Sequence, residues 1–231
     1  MARFILHPSS FILPARRRRS FGFTLNELLV VIALAVLILA LALPAFNAIT
    51  GSRTLESAEN QISSYLASTR AQAIGLQEPR GVVLFTDAGT GRVTLVQVQY
   101  PPGVTRPQID LLGVADDMAL PVGVGLQAVP NGTGASGSPP AYPWPATAIV
   151  MFDGDGKLLL DNVSYTSTSN LGKRLRATAN FPTTLTNIGF VLYDKPAYDS
   201  QVGAAAQKKW MDENAIPFLV NRYNGTLLRG E

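Results

Sequence analysis

Apolar positions along the chain fall into three patterns in turn. From Leu28 to Leu43 every one of sixteen consecutive residues is apolar, and Pro44-Ala45-Phe46 extend the run. Beyond it, Leu55, Ala58, Ile62, Leu66, Thr69 and Ala73 recur at spacings of three and four, opposite Arg53, Glu56, Asn60, Ser64 and Arg70. That spacing is the signature of a helix with one buried stripe. One helix is predicted from about Thr24 to about Leu76, apolar all round at first and amphipathic later, closed by Pro79 and Gly81. After Pro79 the pattern shortens to strand-like runs: "GVVLF", "RVTLVQVQY", "TAIVMF", "KLLLDNVSY", "IGFVLYD" and "IPFLV". "TDAGTG" is the turn predicted to join the first run to the second, and "DGDG" the third to the fourth. Residues 101 to 147, rich in Pro, Gly and Ser, read as a loop. "GAAAQKKWMDENA" reads as a short helix docked by Trp210, and "NRYNG" as a turn before the last strand.

Charge sharpens the picture of the first segment. Arg3 and Arg16 to Arg19 precede the apolar run, and no acid occurs before Glu27. Without residues 1 to 22 the chain holds 14 basic and 16 acidic residues, a net charge of −2. The basic balance of the whole therefore belongs to the leader and says little about nucleic acid binding by the body. The span from Phe23 to Phe46 is 24 residues, about 36 Å of helix at ~1.5 Å per residue. It would cover a hydrocarbon core of about 30 Å, with the arginines on the cytoplasmic side.

Three readings of this segment compete. It can be a secretory signal peptide with a small-residue site at Ala40-Leu41-Ala42, or an uncleaved membrane anchor. In either case Thr24-Leu25-Asn26-Glu27 fits a capping box, and Glu27 satisfies the first turn of the helix. The third reading takes the string whole. The basic run, Gly22, Phe23, Thr24, Leu25, Glu27 and an apolar helix carrying Pro44 resemble the class III leader of type IV pilins and type II secretion pseudopilins. Asn26 departs from that pattern, which usually has an apolar residue there. "ISSYLASTRAQAIGLQEPRGVVLF" is similar to the GspH/FimT-type minor pseudopilins, with Arg70, Ala73 and Ile74 fitting and Thr69 where alanine is common.

The resemblance implies a fold, a processing route and a set of partners. The fold expected is α+β and pilin-like: a long N-terminal spine helix, its first half membrane-embedded, packed on an antiparallel β-sheet. Residues 1–22 would be a cleaved leader and 23–46 the transmembrane and assembly helix. Residues 47–78 would be the amphipathic half, and 79–231 a periplasmic or extracellular β-rich domain with loop 101–147. A prepilin peptidase/N-methyltransferase would cut at Gly22–Phe23 and methylate Phe23. Glu27 would then pair with a Phe23 amine, of ordinary pKa about 8, on a neighbouring subunit during assembly. Phe23 and Glu27 lie one helical turn apart. Pro44 would kink the helix, or simply end it. The partners implied are the peptidase, other pilin or pseudopilin subunits and the inner membrane, with a single pass and a cytoplasmic N-terminus. The function implied is that of a structural subunit of a secretion pseudopilus or a type IV pilus.

Chemistry elsewhere is sparse. The chain has no cysteine, and its one histidine is His7 in the leader. Ser-His-Asp and Cys-His mechanisms and a typical zinc site are therefore closed to the body. No cofactor, no metal and no enzymatic activity are expected. Asp153-Gly154-Asp155-Gly156 lacks the later ligands of an EF-hand, with Lys157, Leu158 and Ser164 at the positions that matter, and reads as a hairpin turn. Asn131-Gly132-Thr133, Asn162-Val163-Ser164 and Asn224-Gly225-Thr226 match the glycosylation sequon. Lys173, Arg174 and Arg176 form the densest positive cluster after the leader. DNA-uptake pilins make phosphate contact by such residues an alternative, but a solvated loop face is the preferred reading. A membrane-tethered exported enzyme is the least favoured alternative.

Overall fold

The computed structural model describes residues 24–103, 107–113, 117–129, 142–177 and 181–230. The chain divides into two compact units, Met1–Phe46 and Asn47–Glu231. Helix α1 is assigned over Leu25–Leu76, 52 residues, and side chains within it are described for 25–40 and 53–76.

In the second unit, β1 (Arg80–Thr86) lies between β2 (Val93–Gln99) and β6 (Thr147–Phe152), antiparallel to both. Short strands β3 (Asp110–Leu111) and β4 (Met118–Ala119) both pair with β2, completing a five-stranded sheet. A second, four-stranded sheet has the order β11-β10-β9-β5. Its members are β5 (Val124–Ala128), β9 (Gly189–Asp194), β10 (Ile216–Val220) and β11 (Leu227–Arg229), again antiparallel. Strands β7 (Asn162–Tyr165) and β8 (Phe181–Leu185) form a separate two-stranded ribbon. Three further helices are α2 (Asn170–Arg174), α3 (Lys195–Asp199) and α4 (Ala204–Asn214).

The stripe predicted on the helix is the stripe that is buried. Ala58, Ile62, Leu66 and Ala73 are fully buried in one cluster with Val82 and Leu84 of β1, Phe152 of β6, and Phe190 and Phe218 of the second sheet. Thr69 is the one polar member. Its hydroxyl donates to the Tyr65 carbonyl at 2.9 Å and accepts from Gln97 Nε2 at 3.0 Å, so its burial carries no unmet hydrogen bond. The alternate residues of β1, Val83 and Phe85, face a second cluster with Val96, Ile149, Met151, Val163 and Leu171. Burial on both faces explains why "GVVLF" is continuously apolar instead of alternating.

Two sequence expectations are corrected by this structure. The expected architecture, a spine helix with a membrane-embedded first half on an antiparallel sheet, is replaced by a mixed body of two sheets and a ribbon. The reason lies in the strands. Those of the first sheet are apolar on both faces, and one helix can cover only one of them, so the ribbon and α2 cover the other. The expected single pass through an inner membrane is likewise overturned. Among the described residues no helix is long and apolar enough to cross a membrane.

The loop expected over 101–147 contains β3, β4 and β5 instead. Strand β5, "VGLQA", escapes notice because it is short and carries Gly125. A Cβ at Gly125 would collide with the Tyr193 ring on the adjoining strand, so the residue that weakens the strand signal is the one the packing needs.

Leu66→Ala removes a fully buried side chain from the helix–sheet cluster and should destabilise the body by about 2–5 kcal/mol. Leu76→Ala, at a position 57% exposed, should change stability by less than about 0.5 kcal/mol. Urea unfolding followed by circular dichroism measures both.

Candidate functional site

The N-terminal end of α1 holds the first group of candidate residues. Gly22 and Phe23 lie outside the described residues. Thr24 and Glu27 form the reciprocal capping box their spacing predicts. The Thr24 backbone N–H donates to Glu27 Oε2 at 2.9 Å and the Thr24 hydroxyl to the same oxygen at 2.8 Å. In return the Glu27 N–H donates to Thr24 Oγ1 at 3.2 Å. The helix then proceeds with the Leu28 N–H on the Thr24 carbonyl at 3.1 Å. Both residues are exposed, and the box uses one of the two carboxylate oxygens of Glu27.

Beyond Glu27 the helix is apolar in every direction. All described side chains from Leu25 to Ala40 are exposed, with Leu28, Leu29, Val31, Ile32, Leu34 and Leu37 between 54% and 59% accessible. A helix apolar all round is normally a buried one. Each large apolar side chain gains roughly 1.5–3 kcal/mol when removed from water. The segment therefore presents a large unsatisfied apolar surface with a single carboxylate at its start. Helix α1 continues in assignment through Pro44, where the absent N–H leaves out one backbone hydrogen bond. The Pro44 side chain lies outside the described ones.

The positive cluster is organised differently from its appearance in the sequence. Ser169 caps α2 by accepting from the Gly172 N–H at 3.0 Å, and Asp110 accepts from the Leu171 N–H at 2.7 Å. This fixes Arg174 against the β1–β2 turn. Its Nε donates to Asp117 Oδ2 at 2.8 Å and its Nη2 lies 2.7 Å from the same oxygen. Its Nη1 lies 3.6 Å from Asp87 Oδ2, and its guanidinium sits 5.7 Å from the centre of the Phe85 ring. Arg176, with φ of 52°, lays its guanidinium against Gly89 of the same turn. Lys173 and Arg176 are exposed, whereas Arg174 is half-buried. Arg174 is thus a tie between two aspartates and an aromatic ring, and the geometry does not favour it as a phosphate contact.

Asp87 is the carboxylate these arginines serve. The Gly89 N–H at 2.9 Å is the main cause that holds its carboxyl below the ordinary aspartate range. The positive charges of Arg174 and Arg176 and the Thr90 hydroxyl act in the same direction, and burial opposes them. The DGDG segment is a turn. Asp153 Oδ1 accepts from the Asp155 and Lys157 N–H groups at 3.0 and 2.8 Å, and Gly156 takes the left-handed φ of 76°. The Gly156 carbonyl accepts from Arg70 Nε at 2.6 Å, which ties this turn to α1. Among the described residues no group of three or more His, Cys, Asp or Glu could hold a metal ion.

One cluster was not visible in the sequence. Tyr193, Tyr198 and Trp210 pack with tilted or edge-on rings, their centres 4.9 to 6.5 Å apart, and the Tyr142 hydroxyl lies 2.7 Å from that of Tyr198. The expected docking of Trp210 is seen here, against β9 and α3. Burial pushes the Tyr193 phenol up to about 12, well away from the range of a base working near neutrality. Tyr142 falls in a stretch that composition alone marks as loop, so no periodicity could have joined it to residues 193–210. A shallow apolar groove of about 370 Å³, lined by Leu160, Leu219, Tyr223 and Leu228 among others, opens beside the β10–β11 hairpin.

No family model matches the chain, and no curated protein or solved structure matches it significantly.

The Asp87–Arg174 tie has a pH signature. Because the folded carboxyl is depressed, its contribution is present above the ordinary aspartate value of about 3.9 and is lost as pH falls through the lower folded value. Arg174→Ala removes part of that depression and leaves the Gly89 N–H in place. Its acid-unfolding midpoint should move to higher pH than that of the unsubstituted chain. An acid titration of the far-ultraviolet circular dichroism reads this, and coincident curves would exclude the tie as a contributor.

Proposed function

We propose that the chain is a non-enzymatic minor subunit of a filament of the type II secretion pseudopilus or type IV pilus class. In this reading it is cut between Gly22 and Phe23, methylated on Phe23 and assembled through the first part of α1. The observation that carries the reading is the exposed helix from Leu25 to Ala40, apolar on all sides and bearing one carboxylate. Such a surface is stable only when covered, and its regularity suits packing against copies of similar helices.

The chemistry of Glu27 fits that role in two stages. Before assembly the carboxylate is held by Thr24, which starts the helix and keeps Oε2 occupied. Cleavage at Gly22–Phe23 would then create an ammonium group one turn away in sequence. An opposite charge on a neighbouring subunit can take the remaining carboxylate oxygen, setting register between helices that otherwise have only apolar contacts. The basic run Arg16–Arg19 and the leader would be discarded with the cut, so the body carries no basic excess into the filament.

Mass spectrometry of the mature amino terminus tests the proposal. The expected result is a chain beginning at methylated Phe23; a start after Ala42, or an intact leader, would overturn it. Glu27→Ala should leave cleavage unchanged while reducing incorporation into filaments. Normal incorporation of that variant would show that Glu27 is no more than a cap.

A further inference from the structure

We propose that Asn224 is an acceptor for an N-linked sugar, delivered from an activated glycosyl phosphate. Asn224-Gly225-Thr226 is one of three sequons in the chain. Asn131 lies outside the described residues, so the structure distinguishes between Asn162 and Asn224.

The two sites differ in geometry. Asn162 and Ser164 belong to β7, where extended backbone separates alternate Cα atoms by roughly 6–7 Å at ~3.3 Å per residue. Ser164 is held there on its other edge too, with its N–H on the Pro107 carbonyl at 2.9 Å and its carbonyl accepting from Ile109 at 2.8 Å. Asn224 and Thr226 occupy an exposed turn between β10 and β11. The turn is closed by the Asn221 N–H on the Thr226 carbonyl at 2.8 Å and the Gly225 N–H on the Asn221 carbonyl at 2.9 Å. Within it, Thr226 Oγ1 donates to Asn224 Oδ1 at 2.7 Å and the Thr226 N–H donates to the same oxygen at 3.0 Å. The amide nitrogen Nδ2 makes no hydrogen bond among the described residues.

That arrangement prepares the amide for transfer. Two hydrogen bonds to Oδ1 draw electron density from nitrogen to oxygen and make the Nδ2 protons easier to lose. In the transfer the new bond joins Nδ2 to the anomeric carbon of the sugar. The bond from that carbon to the phosphate oxygen breaks, the phosphate departs with the electron pair, and one Nδ2 proton passes to a base of the transferase. No oxidant or reductant is needed. The hydroxyl at position 226 acts through Asn224 and is a positioning group.

The folded full-length chain is incubated in two arms. One uses an oligosaccharyltransferase with a lipid diphosphate-linked oligosaccharide, the other a soluble asparagine glycosyltransferase with a nucleotide-activated hexose; the products are read by peptide mass spectrometry. The expected result is a glycopeptide containing Asn224 in at least one arm, which also identifies the kind of donor. Occupancy should fall to background in Asn224→Gln and in Thr226→Ala and be kept in Thr226→Ser. Circular dichroism checks that each variant retains the fold. Bare Asn224 in both arms, or sugar on Asn131 or Asn162 with Asn224 bare, would overturn the proposal. Neither outcome bears on the cleavage at Gly22–Phe23.

Discussion

The body depends on one contact: the stripe of α1 through Ala58, Ile62, Leu66 and Ala73, buried against residues from both sheets. Phe152 comes from the first sheet and Phe190 and Phe218 from the second, and all three are fully buried beside the helix. The last two stack with ring centres 5.8 Å apart. Neither sheet alone closes this cluster. The helix supplies the apolar surface that both share, and hydrophobic burial is the dominant favourable term in a body that has no disulfide and, among the described residues, no metal-binding group.

Directional contacts then fix how that surface is seated. Gln97 bonds to Thr69 in the middle of the stripe, and Arg70 reaches the carbonyl of Gly156 in the turn after β6. Each joins the helix to a different part of the first sheet, so sliding the helix by one turn would break both and leave buried polar groups unpaired. Arg174 has a similar role on the far side, holding the β1–β2 turn to the segment before β4 through Asp87 and Asp117. The part of α1 in the first unit shows the opposite condition. Its apolar side chains are exposed throughout Leu25–Ala40, where the capping box of Thr24 and Glu27 supplies the directional side-chain contacts among the described residues. Surface of this kind acquires its energy from association.

Much of this was legible in the residues. The helical stripe, the capping box, the DGDG turn and five strands (β1, β2, β6, β9 and β10) could be located from periodicity and turn chemistry, because those signals are local; of the run KLLLDNVSY only Asn162–Tyr165 is a strand. Strand β5 could not, since Gly125 answers to the ring of Tyr193 across the sheet. Arg174 looked like part of a basic surface because its partners Asp87 and Asp117 lie 87 and 57 residues away in sequence. The aromatic group around Tyr193 was hidden for the same reason: its members come from a proline-rich stretch, a strand and two helices.

By itself the amino-acid sequence determined where the helix begins, which of its faces is buried between Ala58 and Ala73, and that any covalent chemistry must do without cysteine and without histidine in the body. These follow from spacing and residue type, which act over a few residues or a few turns. Only the tertiary structure decided that the strands divide between two sheets and a ribbon, and that the central arginine of the basic cluster is neutralised. It also decided that the hydroxyl of Thr226 rests on the amide of Asn224. The physical reason is common to all three. Pairing of strands, pairing of charges and closure of a turn each depend on which distant groups arrive at hydrogen-bonding distance, and burial of the shared core brings them there.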